Sequence, residues 1–429
     1  MPFKFKLNPI LIAILATGLS LPAMADDAAL LRQLQDQMQQ MQAQVEALSK
    51  KLAAQSEKQE KVTVQVAKTE EQIQARQKAV QLYGQLRLSA DSYSNDFGAG
   101  ATSGGITAGG RGSTIKSNAS RFGIMGEIPT SLNDTSMIYE AEVLYGAADN
   151  TTNEIQWREG FGGLKGGWGQ ARLGRFDVAY KTTLTAIDPW NDNAPQSRGF
   201  GGVQGSSALH ASYFTNTAEY VSPSLNGFKL AAWVSTQLDD ETSNIHDAGP
   251  ISNYQGGKAK GLGVKFNQGP WYVGADWIDI QSDRIGSTST TYTAPSGGGT
   301  VTVATPFKTN ANMHNGNGWQ AAGGYKAGNW SIGAFYEDVQ DLGLGKNTYL
   351  SGSYLLGKTT LIATYGQNRD ATQYFNRNID TWSLGAKYAL TKDSELFAAW
   401  VDRSEDAFGT TLAKDYQILT VGINAKFGY

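Results

Sequence analysis

From Leu82 onward, apolar and polar side chains alternate with a period of two, segment after segment. That pattern restricts the chain to strands with two chemically different faces. In the first segment Leu82, Gly84, Leu86, Leu88 and Ala90 fall on one face, and Tyr83, Gln85, Arg87, Ser89 and Asp91 on the other. The apolar half recurs as Met137, Tyr139, Ala141, Val143 and Tyr145; Trp271, Val273, Ala275 and Trp277; and Trp382, Leu384, Ala386 and Tyr388. Its Trp and Tyr residues gather at strand ends. A soluble sandwich gains nothing from rings placed there, whereas a membrane barrel sets them at the two lipid interfaces. The last segment is the clearest, with Leu419, Val421, Ile423, Ala425, Phe427 and Tyr429 alternating against Thr420, Gly422, Asn424, Lys426 and Gly428. On an ordinary sheet edge such a lipophilic terminus would invite aggregation.

Sixteen such segments are read, near 82–92, 119–128, 135–145, 154–165, 169–175, 216–223, 227–237, 259–267, 271–280, 318–326, 329–338, 346–355, 358–367, 379–388, 394–403 and 415–429. An even number lets an antiparallel barrel close with both chain ends on one side. The predicted fold is therefore all-β, a 16-stranded antiparallel transmembrane β-barrel. Turns such as 326–329 and 390–393 should face the periplasm, and the long Gly-, Ser-, Thr- and Asn-rich stretches 93–118, 239–258 and 281–317 should be extracellular loops. The 50 glycines and 45 aromatic residues fit many strands and turns.

Two different segments precede the barrel. Lys4 and Lys6, the apolar run Ile10–Leu21 and Ala23-Met24-Ala25 make a signal peptide over 1–25, too short to be a membrane anchor. Its removal takes the formal charge from -3 to -5. Residues 26–80 contain no Gly or Pro, and a heptad seam runs through Leu31, Leu34, Met38, Met41, Val45, Leu48 and Leu52, resuming at Val62, Val66, Ile73 and Val80. The other faces are too polar for a core helix, so a parallel homotypic coiled coil is expected, dimer or trimer.

Several chemistries are disfavoured. The chain has no Cys and three dispersed histidines, His210, His246 and His314, without zinc-ligand spacing. No metal or other cofactor is expected, and a net negative charge argues against a nucleic-acid partner. An enzyme in a barrel would need a nucleophile with a base, and no such motif is present.

The segments LYGQLRLSADSY (82–93), SRFGIMGE (120–127), REGFGGLKGGWGQARLGR (158–175), NTAEYVSPSLNGFKLAAW (216–233) and the closing FGY resemble the general diffusion porins of Gram-negative bacteria. The N-terminal coiled coil is similar to that of the DcaP-like subgroup, associated with dicarboxylate uptake. The resemblance implies a homotrimer in outer-membrane lipid and a third loop, about 177–214, folded into the lumen opposite a ladder of arginines. Arg121 and Arg158 match ladder positions, and alternation points Arg87 and Arg172 inward. The loop supplies Asp177, Asp188, Trp190, Asp192 and Arg198. Glu219 departs from the family where a further arginine is common, Gln85 departs where relatives place a lysine, and parity places Glu159 on the lipid side.

The expected function is passive diffusion of small hydrophilic solutes across the outer membrane. The lumen face by parity holds Arg87, Arg121, Arg158, Arg172, Lys229, Lys265, Lys387 and Lys426 against Glu127, Glu140, Glu142, Glu219, Asp276 and Glu337. The position of Arg121 and Arg158 at the narrowest zone favours anions, carboxylates and dicarboxylates first. The rival reading is an envelope-tethering or adhesive barrel protein. The helix, a periplasmic extension, could also bind peptidoglycan or a periplasmic partner.

Overall fold

The computed structural model describes residues 27–95, 112–148, 155–198, 204–211, 213–238, 257–281, 315–371, 377–406 and 415–428, plus the backbone of 102–103, 106–107, 285–293 and 300–308. The signal-peptide segment, Tyr429, His246, His314, residues 199–203 of the third loop and much of the long loops lie outside the described residues. The chain divides between Gln74 and Ala75 into two compact units.

The Gly- and Pro-free composition runs as one helix, α1 (Asp27–Ala79), most of which makes up the described part of the first unit. Lys50 and Lys61 each reach a Glu four residues earlier, at 2.8 and 2.7 Å, the spacing at which helical side chains meet. Leu31, Leu34, Met38, Met41, Val45, Leu48 and Leu52 are all exposed on the single chain. No described helix is long and apolar enough to cross a membrane.

The second unit is a closed antiparallel barrel. Its sixteen strands are β1 (Gln81–Asn95), β2 (Gly112–Ser117, resuming as Arg121–Pro129), β3 (Thr135–Leu144), β4 (Gln156–Gly166), β5 (Gly169–Phe176), β6 (Phe214–Val221), β7 (Phe228–Ser235) and β8 (Lys258–Gln268). They continue as β9 (Trp271–Gln281), β10 (Gly316–Ala327), β11 (Trp330–Asp338), β12 (Lys346–Leu356), β13 (Thr359–Ala371), β14 (Arg377–Ala389), β15 (Ser394–Glu405) and β16 (Tyr416–Phe427). Every strand pairs with its sequence neighbours, and β1 pairs with β16 from Gly84↔Phe427 to Asn95↔Tyr416, which closes the sheet. All sixteen segments read from alternation are strands. Two loop assignments are corrected. The stretch 93–118 contributes Gly112–Ser117 to the wall, paired with β1 from Leu88↔Ser117 to Tyr93↔Gly112, and only a kink at Ala119 (φ 58°) separates it from the rest of β2. Within 281–317, Ile285–Thr293 pairs with Thr300–Lys308 as a two-stranded ribbon.

Seven short turns lie at one end of the barrel with both termini of the sheet, and the longer connections lie at the other. Three of the four two-residue turns begin with a glycine, Gly269, Gly328 or Gly357, at φ near +60°, a conformation only glycine adopts cheaply. Outward residues are apolar: Leu82, Leu173, Leu262, Ile332 and Leu384 are more than half exposed. Trp271, Trp330, Phe228 and Tyr388 ring the short-turn end, and Trp157, Trp319 and Trp382 ring the other. Inward residues on β1, by contrast, are Tyr83, Gln85, Arg87, Ser89, Asp91 and Tyr93, all buried.

At the seam the ring of Phe427, exposed on the outer face, lies over Gly84. A Cβ at Gly84 would fall 2.2 Å from the Phe427 ring, whereas one at Gly352 would meet nothing within 4 Å. Gly84→Val should therefore destabilise the barrel by about 1–3 kcal/mol. Gly352→Ala should change stability by less than about 0.5 kcal/mol. Denaturant titration of the folded, slow-migrating species on electrophoresis measures both.

Candidate functional site

The connection from Phe176 to Phe214 does not extend outward but folds into the lumen. It begins with the helix α2 (Ala179–Thr185), whose Tyr180 packs with Leu209, Phe214, Ile278 and Val339 in a buried cluster against the wall. Leu184 and Ile187 then settle on Ala322, Phe335 and Tyr349 of β10–β12, and Trp190 on Ile362, Phe397 and Ala399 of β13 and β15. The wall has been emptied to receive them. A Cβ on Gly333 would lie 2.7 Å from Ile187, and one on Gly366 would lie 2.2 Å from the Gln204 carbonyl oxygen. The returning limb, Gln204–Ala211, is fixed by hydrogen bonds to Asn368 and Glu337.

Glu337, fully buried on β11, is the main tether. It accepts hydrogen bonds from Tyr180 Oη (2.6 Å), Ser207 N (2.8 Å), Ser207 Oγ (2.9 Å) and Asn347 Nδ2 (2.8 Å), with His210 Nε2 at 3.2 Å. Both limbs of the loop thus converge on one carboxylate, and the one described histidine serves the fold.

At its tip the loop meets the opposite wall. Arg121 of β2 lies 2.9 Å from Asp192 and 3.2 Å from Glu142 of β3, and Arg158 of β4 lies 2.6 Å from the same Glu142. Arg198, from the loop, bonds the second oxygen of Asp192. Arg87 of β1 donates to Gln85 Oε1 (2.7 Å) and to the Asn191 carbonyl (3.2 Å), both neutral. Arg121, Arg158, Arg198, Glu140, Glu142, Glu159, Asp177 and Asp192 line a polar cavity of about 290 Å³ together with Tyr83, Gln85 and Met125.

Four of the expected pore-lining residues, Arg87, Arg172, Asp188 and Glu219, are not in the lining of this cavity. Asp188 accepts from Trp190 N, Ser197 N, Ser197 Oγ and Tyr349 Oη, which makes it a brace within the loop, turned away from the cavity. Arg172 and Glu219 pair at 2.7 Å at the root of the loop, where Glu219 also accepts from Ala179 N. The carboxylate at 219 neutralises Arg172. Glu159 is a correction of parity. Ala141 pairs with Gly160 and Val143 with Trp157, so Glu142 faces two residues, and this bulge lets both Arg158 and Glu159 line the cavity.

Burial and neighbours set the ionisation of the loop. Burial alone would raise both Asp177 and Asp192, but Lys181 and Arg158 hold Asp177 below the usual carboxylate range, and Arg121 and Arg198 hold Asp192 well below it. Lys181, 2.7 Å from Asp177 and 3.7 Å from the centre of the Tyr213 ring, is pushed down by burial to about 8. Sequence reasoning missed Lys181 because only the fold of the loop buries it. Among the described residues no group of three or more His, Asp or Glu side chains is placed to hold a metal ion.

A buried ladder of inward arginines facing an infolded loop, inside a closed sixteen-stranded wall, is a restricted aqueous passage. A sequence profile described as Gram-negative porin matches residues 47–407. The chain belongs to the Gram-negative porin family. The porin's barrel is similar to that of an anion-selective porin from Comamonas acidovorans, 16% identical with a TM-score of 0.56, over 81% of this chain and 99% of that one. It is also similar to a loop L8 deletion mutant of OmpT, an outer membrane protein of Vibrio cholerae (16%, TM-score 0.55, 81% and 99%), and to a mutant of the Rh. blastica porin (13%, TM-score 0.51, 81% and 100%). No curated protein sequence matches it. The porin is a diffusion channel of the outer membrane.

Two tests follow from the loop. Glu337→Ala removes the shared acceptor of both limbs, leaving buried donors unpaired at about 1–3 kcal/mol each, and should give a folded barrel with larger, noisier single-channel currents. Raising the pH from 7 to 9 takes Lys181 through its deprotonation near 8 and leaves the loop one charge more negative. The share of current carried by anions should fall over that interval, and Lys181→Met should abolish the step.

Proposed function

We propose that this porin passes small hydrophilic solutes without chemistry, and that its constriction favours anions, carboxylates and dicarboxylates first. The observation that supports the reading is a cluster of guanidinium groups at the tip of the loop. Four guanidinium groups, Arg87, Arg121, Arg158 and Arg198, are served by two carboxylates, Glu142 and Asp192. Among the described residues Arg87 ion-pairs with no carboxylate. Glu140, Glu159 and Asp177 line the same cavity, so the preference rests on the guanidinium groups standing together at the tip of the loop, where low-dielectric walls focus their field onto a passing ion. The selectivity named for the Comamonas protein points the same way.

In the same reading the chain loses a signal peptide over 1–25, the segment 26–80 is a periplasmic coiled coil and 81–429 is the barrel. Three copies assemble, in keeping with a trimer form described for the Vibrio OmpT, and the exposed heptad seam of α1 supports self-association. The helix also leaves open peptidoglycan or a periplasmic protein as a partner.

The reversal potential of reconstituted channels under a potassium chloride gradient tests the selectivity. Wild type should prefer chloride, and replacing Arg121 and Arg158 together by Ala should shift the potential toward potassium. A cation-preferring wild type, or a potential unmoved by the double substitution, would overturn the assignment.

A further inference from the structure

At the root of the loop three cations lie over one aromatic ring. Tyr213, buried where the loop passes into β6, has the Lys181 ammonium 3.7 Å from its ring centre, the Arg158 guanidinium at 5.1 Å and the Arg175 guanidinium at 5.3 Å. All three fall within the distance of about 6 Å over which the negative face of a ring attracts a cation. They come from separate elements, Lys181 from α2, Arg158 from β4 and Arg175 from β5. Arg175 also donates to the Arg158 carbonyl oxygen at 3.0 Å, which ties the two strands' side chains together.

Like charges gathered out of bulk water repel one another and lose hydration, so each needs compensation. Carboxylates supply part of it, Glu142 at 2.6 Å from Arg158 and Asp177 at 2.7 Å from Lys181. A carboxylate cancels the charge that it stabilises. An aromatic ring does not, because its quadrupole attracts a cation and adds no net charge, and the field of the cation persists. The charged groups that act on Lys181 are Asp177 and Arg198 of the loop and Arg158 of β4. On the far side of α2, Lys265 donates to Thr182 and Asp276 accepts from Gln320. Burial pushes Lys181 down to about 8 even with Asp177 in contact, and the Tyr213 face opposes that burial without adding a charge.

We propose that Tyr213 is a positioning residue for the selectivity of this channel, its ring holding the Lys181 ammonium and the Arg158 and Arg175 guanidinium groups together at the root of the loop while leaving their charge uncancelled. That this charge favours anions rests on the function proposed above; the hold of the ring on Lys181 does not.

The share of current carried by anions, followed against pH for the full-length protein in planar bilayers, tests the assignment. In wild type the step that Lys181→Met removes should fall near pH 8. Tyr213→Phe keeps the aromatic face and should leave the step in place. Tyr213→Leu should bring it down by about one pH unit, the size of a buried cation–π contact expressed as a pKa. Incorporating 4-cyanophenylalanine in place of Tyr213 preserves the shape of the ring but withdraws charge from its face. It should move the step the same way by less, and it carries the test if Tyr213→Leu does not assemble. A ring that only fills space would not respond to its own electron density, so a step that stays put in either assembled variant overturns the proposal. If wild type prefers cations while the step still follows the ring, the anion reading fails and the assignment of Tyr213 stands; a potential that responds to Arg121 and Arg158 with an unmoved step gives the converse.

Discussion

Every backbone N–H and C=O that faces lipid must find its partner within the protein, because hydrocarbon offers none. The rest of this structure depends on that requirement. Closure between β1 and β16 removes the two free edges, and once the register Gly84↔Phe427 is set, alternation leaves each strand one face for lipid and one for the lumen. The outward choice is simple and repetitive, Leu, Val, Ile and aromatic rings. All chemical variety is thereby confined to the inner face and to whatever is folded into it.

A loop placed in that lumen has to be held against a wall that is largely polar, and the structure does so with two kinds of contact. Apolar seats made by wall glycines receive Ile187, while Glu337 gathers donors from both limbs. Charges removed from bulk water are costly unless paired and hydrogen-bonded. The pairs Arg172 with Glu219, Arg198 with Asp192 and Lys181 with Asp177 meet that demand within the loop and at its root. Arg87, by contrast, donates its hydrogen bonds to neutral acceptors, Gln85 and the Asn191 carbonyl.

The outward faces were legible because alternation is a local property: strand number, the short turns and the lipid-facing rows follow from runs of about ten residues. The outer half of β2 was hidden by a single left-handed residue, Ala119, which breaks the period and makes Gly112–Ser117 resemble a loop. Asp188 was misplaced for a different reason. Its role is set by Tyr349, a partner 161 residues away, and no local pattern reports such a contact. Lys181 looked like any loop lysine until Tyr213 and Asp177 enclosed it. The inward arginines Arg121 and Arg158 were legible because their strands run in phase from a recognisable outward row.

Glu159 marks the limit of that method, and the reason is geometric. Parity counting assumes one residue per step, so a single inserted residue inverts every assignment beyond it until the strand ends. In β4 the inversion falls between Trp157, which is exposed, and Phe161, whose ring lies 5.2 Å from the guanidinium carbon of the inward Arg172. Phe161 is therefore inside, although parity counted from Arg158 would place it outside. The glycines around it, Gly160 and Gly162, present no Cβ contact within 4 Å and so tolerate the change of phase. A bulge in a strand that must still pair fully on both edges is costly to keep, and here it brings two charged groups to the inner face, Glu159 beside Arg158 and Lys165 at 3.2 Å from Glu127. The two neighbouring residues of opposite charge then share one surface, so the field they set up runs along the wall from Arg158 toward Glu159 as well as across the lumen to the loop.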